Sequence, residues 1–305
     1  MRALLLFNPH ATTTDERVRD VIASALASAV DLDVQPTKQR GHATHIAAGA
    51  VHEGVDVVFS LGGDGTANEV LQGLAGSDVA LGVIPGGGAN VFARALGLPN
   101  DAVAATSILL DELRRRRTRT ITLGRAGDRY FGFNAGFGFD AAVVRHVEQN
   151  AGMKRMLRQL AFVWSTTREW MTTDERHAPS VTVGFADGRT AGPFAITIIA
   201  NADPYTYLGR RGMHVHPDAD LAAGLDLLAI RAVSTQRLLR IVAQVFRDGS
   251  HVGARDVAYH HDLDGFTLSA SAAQPLMVDG DYAGEHREVR FTAVRDALRV
   301  LAAPA

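Results

Sequence analysis

An α/β domain on a mostly parallel sheet, followed by an antiparallel β-sandwich domain, is the fold class that the sequence predicts. Three observations lead there. Strand-patterned and helix-patterned segments alternate up to Arg114, short β-rich segments separated by turn dipeptides dominate afterwards, and a glycine-rich turn in SLGGDGTANEV, residues 60–70, joins an apolar strand to a helix. Alternation at this spacing builds βαβ units and a parallel sheet covered on both faces. Frequent turns between short strands build antiparallel layers instead.

The first strand is predicted at residues 3–7, an apolar run closed by Asn8-Pro9, with a polar loop over 8–14. Thr13-Thr14-Asp15-Glu16 supplies a capping box for a helix through Ala29. A strand at 32–35, a helix at 41–52 and a strand at 55–61 follow. The helix at 66–74 places Val70, Leu71 and Leu74 on one face, and residues 79–84 give the next strand. Residues 101–113 read as a helix, followed by the basic run Arg114, Arg115, Arg116, Arg117 and Arg119. The second part is predicted as strands at 120–124, 130–134, 181–185, 194–200, 225–230, 266–269, 276–278 and 289–291. Asp187-Gly188 and Asp279-Gly280 mark turns between them. The boundary is placed near residue 120, which makes 1–120 a nucleotide-binding α/β domain and 121–292 a lipid-substrate sandwich. Residues 293–305 are a candidate returning strand of the first domain, through the apolar stretch 297–302.

Composition narrows the function classes. With 305 residues, 47% of them hydrophobic and 21% charged, the chain is long enough for two cores. Its formal net charge of −2 gives no bulk electrostatic drive towards nucleic acid. The absence of cysteine excludes disulfides, thiolate metal sites and a cysteine nucleophile. The apolar run before Asn8 is far shorter than the ~20 residues of a membrane span or the core of a signal peptide, so a cytoplasmic location is expected.

Gly62, Gly63 and Gly65 sit where a strand passes into a helix. Without Cβ atoms they let backbone N–H groups approach an anion, and the helix start adds unpaired donors and a positive dipole end. This is not a Walker A loop: the only lysines are Lys38 and Lys154, and neither follows such a turn. Asp64 lies inside the turn. A carboxylate beside phosphates makes chemical sense with Mg²⁺ or a reacting hydroxyl between them, so Asp64 is the first catalytic candidate. Asn8-Pro9, Thr37 with Gly41-His42-Ala43, the GGDGT turn and Pro85-Gly86-Gly87-Gly88-Ala89-Asn90 all follow predicted strands of the first domain. Loops on that edge of an open α/β sheet are where ligands bind.

In order and spacing these motifs resemble the diacylglycerol kinase catalytic family, which includes bacterial lipid kinases and the sphingosine kinases. The resemblance runs through Asn8-Pro9, Thr37-x-x-x-Gly41-His42-Ala43, Gly62-Gly63-Asp64-Gly65-Thr66-x-Asn68-Glu69-Val70 and Pro85-Gly86-Gly87-x-x-Asn90-x-x-Ala93-Arg94. It continues with Asn134-x-Gly136-x-Gly138-x-Asp140 and Asp279-Gly280-Asp281, and so covers nearly the whole chain. It implies a phosphofructokinase-like nucleotide domain, a β-sandwich domain, and ATP with Mg²⁺ bound in the cleft between them. By position, Asn8, Pro9, His10, Ala11, Thr12, Thr37, Gly62, Gly63, Asp64, Gly65, Thr66, Ala67 and Asn68 surround the nucleotide, together with Gly87, Gly88 and Asn90. The family's proton acceptor falls on Asp281, with Asp64, Asp140 and Asp279 as a supporting acidic set; Asp279 is the alternative acceptor.

Three positions depart from the family's pattern. Gly88 stands where a Thr is usual, Val91 where an Asp is common, and Asp281 where a Glu is usual. The family's structural Mg²⁺ loop falls on Asp220, Ala223 and Leu225. Ala223 offers no carboxylate, so that ion is expected to bind weakly or not at all.

The expected activity is transfer of the ATP γ-phosphoryl group to a hydroxyl of a diacylglycerol-like or long-chain-base lipid at a membrane surface, with peripheral membrane contact, no nucleic-acid partner and room for a homodimer. The rival readings are an NAD kinase-like enzyme, since GGDGT also occurs in that group, and a nucleotide-binding regulatory protein without turnover. The basic run after Arg114 reads as a solvated connection. Residues 153–164 form an amphipathic helix that suits a membrane or the sandwich equally well. His214 and His216 share a strand face but lack a third metal ligand at informative spacing, and residues 201–205 read as a loop bordering the lipid pocket.

Overall fold

The computed structural model describes residues 1–9, 16–139, 179–208, 211–247 and 249–303. His10, Ala11, Thr12, the capping box before Glu16, Asp140 and the segment 153–164 therefore lie outside the described residues. The chain forms two compact units, Met1–Leu123 with Arg295–Ala305, and Gly124–Val294.

The first unit is built on the parallel strands β1 (Arg2–Phe7), β2 (Asp31–Pro36), β3 (Val57–Gly62) and β4 (Ala80–Pro85). Its helices are α1 (Glu16–Ala27), α2 (His42–His52), α3 (Asp64–Leu74), α4 (Val91–Ala95) and α5 (Ala102–Arg114). The strands run in the order β4-β3-β1-β2, and residues 299–301 add a further parallel strand beside Ala80, Leu81 and Gly82. The strands β3 and β4 are apolar apart from Ser60 because helices cover both faces, and every residue of both is buried. Helices α2 and α3 touch backbone to backbone at Gly73, where a Cβ would lie 2.5 Å from the Thr44 carbonyl oxygen.

The second unit is antiparallel. Its strands are β5 (Arg119–Ala126, which begins in the first unit), β6 (Arg129–Phe131), β7 (Asn134–Gly138), β8 (Val181–Phe185), β9 (Thr190–Phe194), β10 (Ile196–Ala200), β11 (Thr206–Leu208), β12 (Arg211–Met213), β13 (Leu225–Ile230), β14 (Val257–Leu263), β15 (Gly265–Val278) and β16 (Asp281–Leu301). One layer runs β14-β13-β10-β7-β15. The long β15 pairs with β8 through residues 266–269 and with β7 through residues 276–278, and so serves both layers of the sandwich. On β13, Leu225, Leu227 and Ala229 enter the core between the layers, while Leu228 and Ile230 pack on the opposite face under helix α6 (Thr235–Arg247). Burial on both faces is why LDLLAI shows no alternation.

Several local expectations need correction. Residues 130–134 are not one strand, because the N–H groups of Gly132, Phe133 and Asn134 turn towards the Asp279 carboxylate. The strand expected at 194–200 changes partner at Ala195: β9 pairs with β8, and β10 with β7 and β13. The short strands at 266–269, 276–278 and 289–291 are parts of the long β15 and β16. The helix α6, the hairpin β11–β12 and the edge strand β14 have no counterpart in the expected series.

Candidate functional site

In the first unit the four strands end side by side at one edge of the sheet. Pairing continues into the loops: Asn8 N donates to Leu61 O at 3.1 Å, Thr37 N to Phe7 O at 2.8 Å, and Gly86 N to Gly62 O at 2.7 Å. Asn8, Pro9, Thr37, the GGDGT turn and residues 86–90 therefore share one edge. The two glycine turns touch directly. A Cβ on Gly87 would stand 2.8 Å from Gly63 Cα, and one on Gly62 would stand 2.7 Å from Thr66 Oγ1, so both positions require glycine. Gly88 continues the second turn. Asn90 pins that turn from a left-handed conformation (φ 48°), accepting from Gly87 N at 2.9 Å while donating to Gly87 O at 2.8 Å and Asn100 Oδ1 at 2.6 Å.

Asp64 opens α3, and its Oδ1 accepts from Phe92 N at 3.0 Å, which places the carboxylate on the N-terminus of α4. Burial pushes the Asp64 carboxyl upwards, while the N–H groups of Phe92, Val91 and Asn90 pull it back. The side chain thereby couples one glycine turn to the other. Glu69 does the same for α2, accepting from Gly41 N at 2.8 Å and Ala43 N at 3.1 Å, and Asp101 caps α5 by accepting from Ala104 N at 2.8 Å. Helix α3 differs. Its N-cap is Gly63, and among the described residues no side chain caps this end. The first-turn N–H groups of Asp64 and Gly65 point out of the helix start, as an anion site requires. Ala67 and Asn68 fall on the buried side of α3, so of the turn's residues Gly63, Asp64, Gly65 and Thr66 stay partly open.

In the second unit, Asp279 and Gly280 form the two-residue turn between β15 and β16, both with positive φ (48° and 82°), and Val278 pairs with Asp281. The Asp279 carboxylate is buried and accepts three backbone donors: Gly132 N at 2.7 Å, Phe133 N at 3.0 Å and Asn134 N at 3.1 Å. It acts as a clamp on residues 132–134. Asp281 is more open, with its side chain 28% exposed, and its Oδ2 accepts from the Arg129 guanidinium at 3.0 Å. Arg129 is absent from the residues expected of the site, and nothing in its local sequence marks it. The same 132–134 segment holds the loop that follows β10, through Asn134 Nδ2 to Tyr205 O at 2.8 Å and Asn201 Nδ2 to Gly132 O at 3.0 Å.

The positions of the expected Mg²⁺ loop have other partners. Asp220 Oδ1 caps its own turn, accepting from Ala222 N at 2.8 Å, and the Leu225 side chain is buried in the sandwich core. Among the described residues no group of three or more His, Asp or Glu side chains is arranged for a metal ion. His214 Nδ1 pairs with Asp203 Oδ2 at 2.5 Å, and burial pushes the Asp203 carboxyl upwards. His216 is fully buried, bonds Ile198 O through Nε2 at 3.1 Å, and is held neutral with its pKa lowered to about 3 by burial. On β13, buried Asp226 accepts from Tyr259 Oη at 2.5 Å and from His261 Nδ1 at 2.8 Å; burial, then Asp226, push the Tyr259 hydroxyl upwards.

Comparison with known proteins places this architecture. Residues 2–126 match the model of the diacylglycerol kinase catalytic domain, and residues 134–302 match that of the YegS C-terminal NAD kinase beta sandwich-like domain. Over 273 residues the chain is 32% identical to the diacylglycerol kinase of Mycobacterium tuberculosis (strain ATCC 25618 / H37Rv), covering 85% of this chain and 81% of that one. It is 27% identical to the diacylglycerol kinase of Bacillus subtilis (strain 168), covering 93% and 90%. A crystal structure of a diacylglycerol kinase from Bacillus anthracis str. Sterne superposes with a TM-score of 0.77 over 99% of this chain and 97% of that one, at 20% identity, and so shares the fold. Two domain models in order, with relatives aligned along most of their length, make the chain a member of the diacylglycerol kinase family.

Proposed function

We propose that the protein transfers the γ-phosphoryl group of ATP to a hydroxyl of a diacylglycerol-like or long-chain-base lipid, with Asp281 as the proton acceptor. The observation that carries the reading is the difference among helix starts: carboxylates close α2, α4 and α5, while α3 opens on glycines locked against a second glycine turn. Among the first unit's helix starts α2 to α5, that leaves the donors of α3 for phosphate oxygens. Asn8, Thr37, Gly63, Gly65, Thr66 and Gly87 are assigned to hold the nucleotide there. Mg²⁺ supplies charge neutralisation on the phosphates, and the transfer otherwise depends mainly on positioning.

The hydroxyl must lose its proton as its oxygen attacks phosphorus and the bond to the ADP oxygen breaks. Asp281 suits that task better than Asp279, whose two oxygens already accept three N–H donors. Arg129 orients the Asp281 carboxylate. Asp64 is assigned a positioning role, since its carboxylate sets the second glycine turn relative to the first.

Transfer of ³²P from labelled ATP with Mg²⁺ into a panel of detergent-dispersed lipids, with NAD⁺ and no-lipid controls, tests this. Labelled phosphatidic acid or a phosphorylated sphingoid base is expected. Label in NADP would move the protein to nucleotide phosphorylation, and ATP binding without transfer to any acceptor would overturn the enzyme reading.

A further inference from the structure

We propose that the outward face of α6 docks the protein on anionic bilayers; this rests on the lipid-kinase reading and names the surface from which substrate is taken. Helix Thr235–Arg247 turns Leu238, Ile241 and Val245 into the second unit. At 3.6 residues per turn, Gln236, Leu239, Arg240, Ala243 and Arg247 fall on one arc of about 100° on the opposite side, and all five are exposed. The helix contains three arginines and no Asp or Glu. Arg237 lies on the flank and pairs with Asp256 at 2.9 Å; Arg240 and Arg247 stand on the outward arc itself. A third exposed cation adjoins the helix end: Arg211 donates from Nε to Phe246 O at 3.1 Å.

Leu239 lies at one side of this arc and is 51% exposed. Among the described residues it is the only exposed large hydrophobic side chain of the second unit; Met1, Val21, Val34 and Val103 belong to the first. An ordinary solvated helix face mixes both signs of charge at i,i+4 spacing and keeps large apolar groups turned inward. The described residues of this arc carry one sign of charge and one projecting leucine. That is the chemistry of an interfacial helix: cations meet anionic headgroups and an apolar side chain enters the acyl boundary. The charge complementarity selects an anionic bilayer over a neutral one.

The test is co-sedimentation of the full chain with phosphatidylcholine vesicles, with and without phosphatidylglycerol. Wild-type protein should pellet with the anionic vesicles, and less as salt rises. Each arginine near such a surface contributes a factor of about five, so Arg240→Glu with Arg247→Glu should weaken vesicle binding by at least about tenfold, and Leu239→Ser should weaken it by a smaller factor. These variants should phosphorylate detergent-dispersed lipid as wild type does, yet lose rate when the same lipid is presented in anionic vesicles. Equal pelleting of wild type and the double variant, or pelleting with neutral vesicles alone, would overturn the proposal. A change in sedimentation coefficient caused by these substitutions, without any loss of vesicle binding, would assign the face to a second copy of the chain instead. Vesicle binding by a wild-type protein that phosphorylates no lipid in detergent would leave the docking face standing and remove the kinase reading.

Discussion

Asp279 and Asp281 stand two residues apart on one hairpin and meet opposite surroundings. The first is buried, left-handed and ringed by three backbone N–H groups; the second is partly exposed and accepts from the Arg129 guanidinium at 3.0 Å. A buried carboxylate whose lone pairs are already taken by fixed donors has little capacity left for a proton, while a partly exposed one can meet a substrate hydroxyl. Identity and spacing alone therefore do not separate a buried clamp from a partly exposed carboxylate; their surroundings do. The first unit repeats the lesson, where the carboxylates of Asp64 and Glu69 close the starts of α4 and α2 while no side chain caps the Gly63 end of α3 among the described residues.

The sharpest way to break the comparison is to neutralise each acid in turn. Asp281→Asn keeps an oxygen for Arg129 but removes the charge, and kcat should fall by roughly 10²- to 10⁴-fold with the melting curve unchanged. If Asp281→Asn turns over normally while Asp279→Asn does not, the two roles are reversed. Asp279→Asn tolerates the left-handed backbone as well as Asp does, so the substitution isolates the charge and one acceptor. It places an amide against the N–H of Gly132, and denaturant unfolding should show a loss of about 2–3 kcal/mol. If Arg129 orients Asp281 as proposed, the Arg129→Ala variant should lower kcat roughly tenfold with KM for ATP unchanged, and added guanidinium should recover part of the rate. A loss of stability without guanidinium recovery would make Arg129 structural.

How much of this was readable in advance follows the range of the contacts. The fold class was legible because βαβ alternation and the turn-rich second half are local patterns, and the apolar run LDLLAI marked the strand at 225–230, though not its burial on both faces. The loops of one sheet edge were legible for the same reason, since each glycine turn follows its own strand. Contacts between distant residues leave no such periodicity. Asp279 is 147 residues from Gly132, Asp281 is 152 from Arg129, and Glu69 is 28 from Gly41. Each of those contacts sets a role that neither partner's neighbours reveal. The break between β6 and β7 went unread because its cause is the distant Asp279 carboxylate. The edge strand β14 went unread because VAYHHDL carries polar groups that answer Asp226 across the sheet, through Tyr259 and His261, and so lacks a simple alternation.

The smallest predicted effect carries the contrast to His214 and His216, again two residues apart. His214 is 45% exposed and pairs with Asp203, whereas His216 is fully buried and donates to Ile198 O with its pKa lowered to about 3. In the unfolded chain His216 takes a proton near the ordinary histidine value of about 6.5, and in the folded chain it does not. The unfolded state thus binds the extra proton between those values. Its contribution to stability is fully present above about pH 6.5 and is lost progressively as pH falls towards 3, at about 1.4 kcal/mol per pH unit. The groups facing His216 are the Ile198 carbonyl and the His251 ring, and His251 also disfavours a second charge there. Asp64 and Asp203 act in the opposite sense, because their raised pKa values let the folded state take protons first as pH falls. Unfolding measured from pH 7 to pH 4 for wild type and His216→Gln, which keeps a donor for Ile198, cancels those common contributions. The difference between the two proteins should shrink steadily on acidification, and a constant difference would mean that His216 takes up its proton in the folded protein as readily as in the unfolded chain.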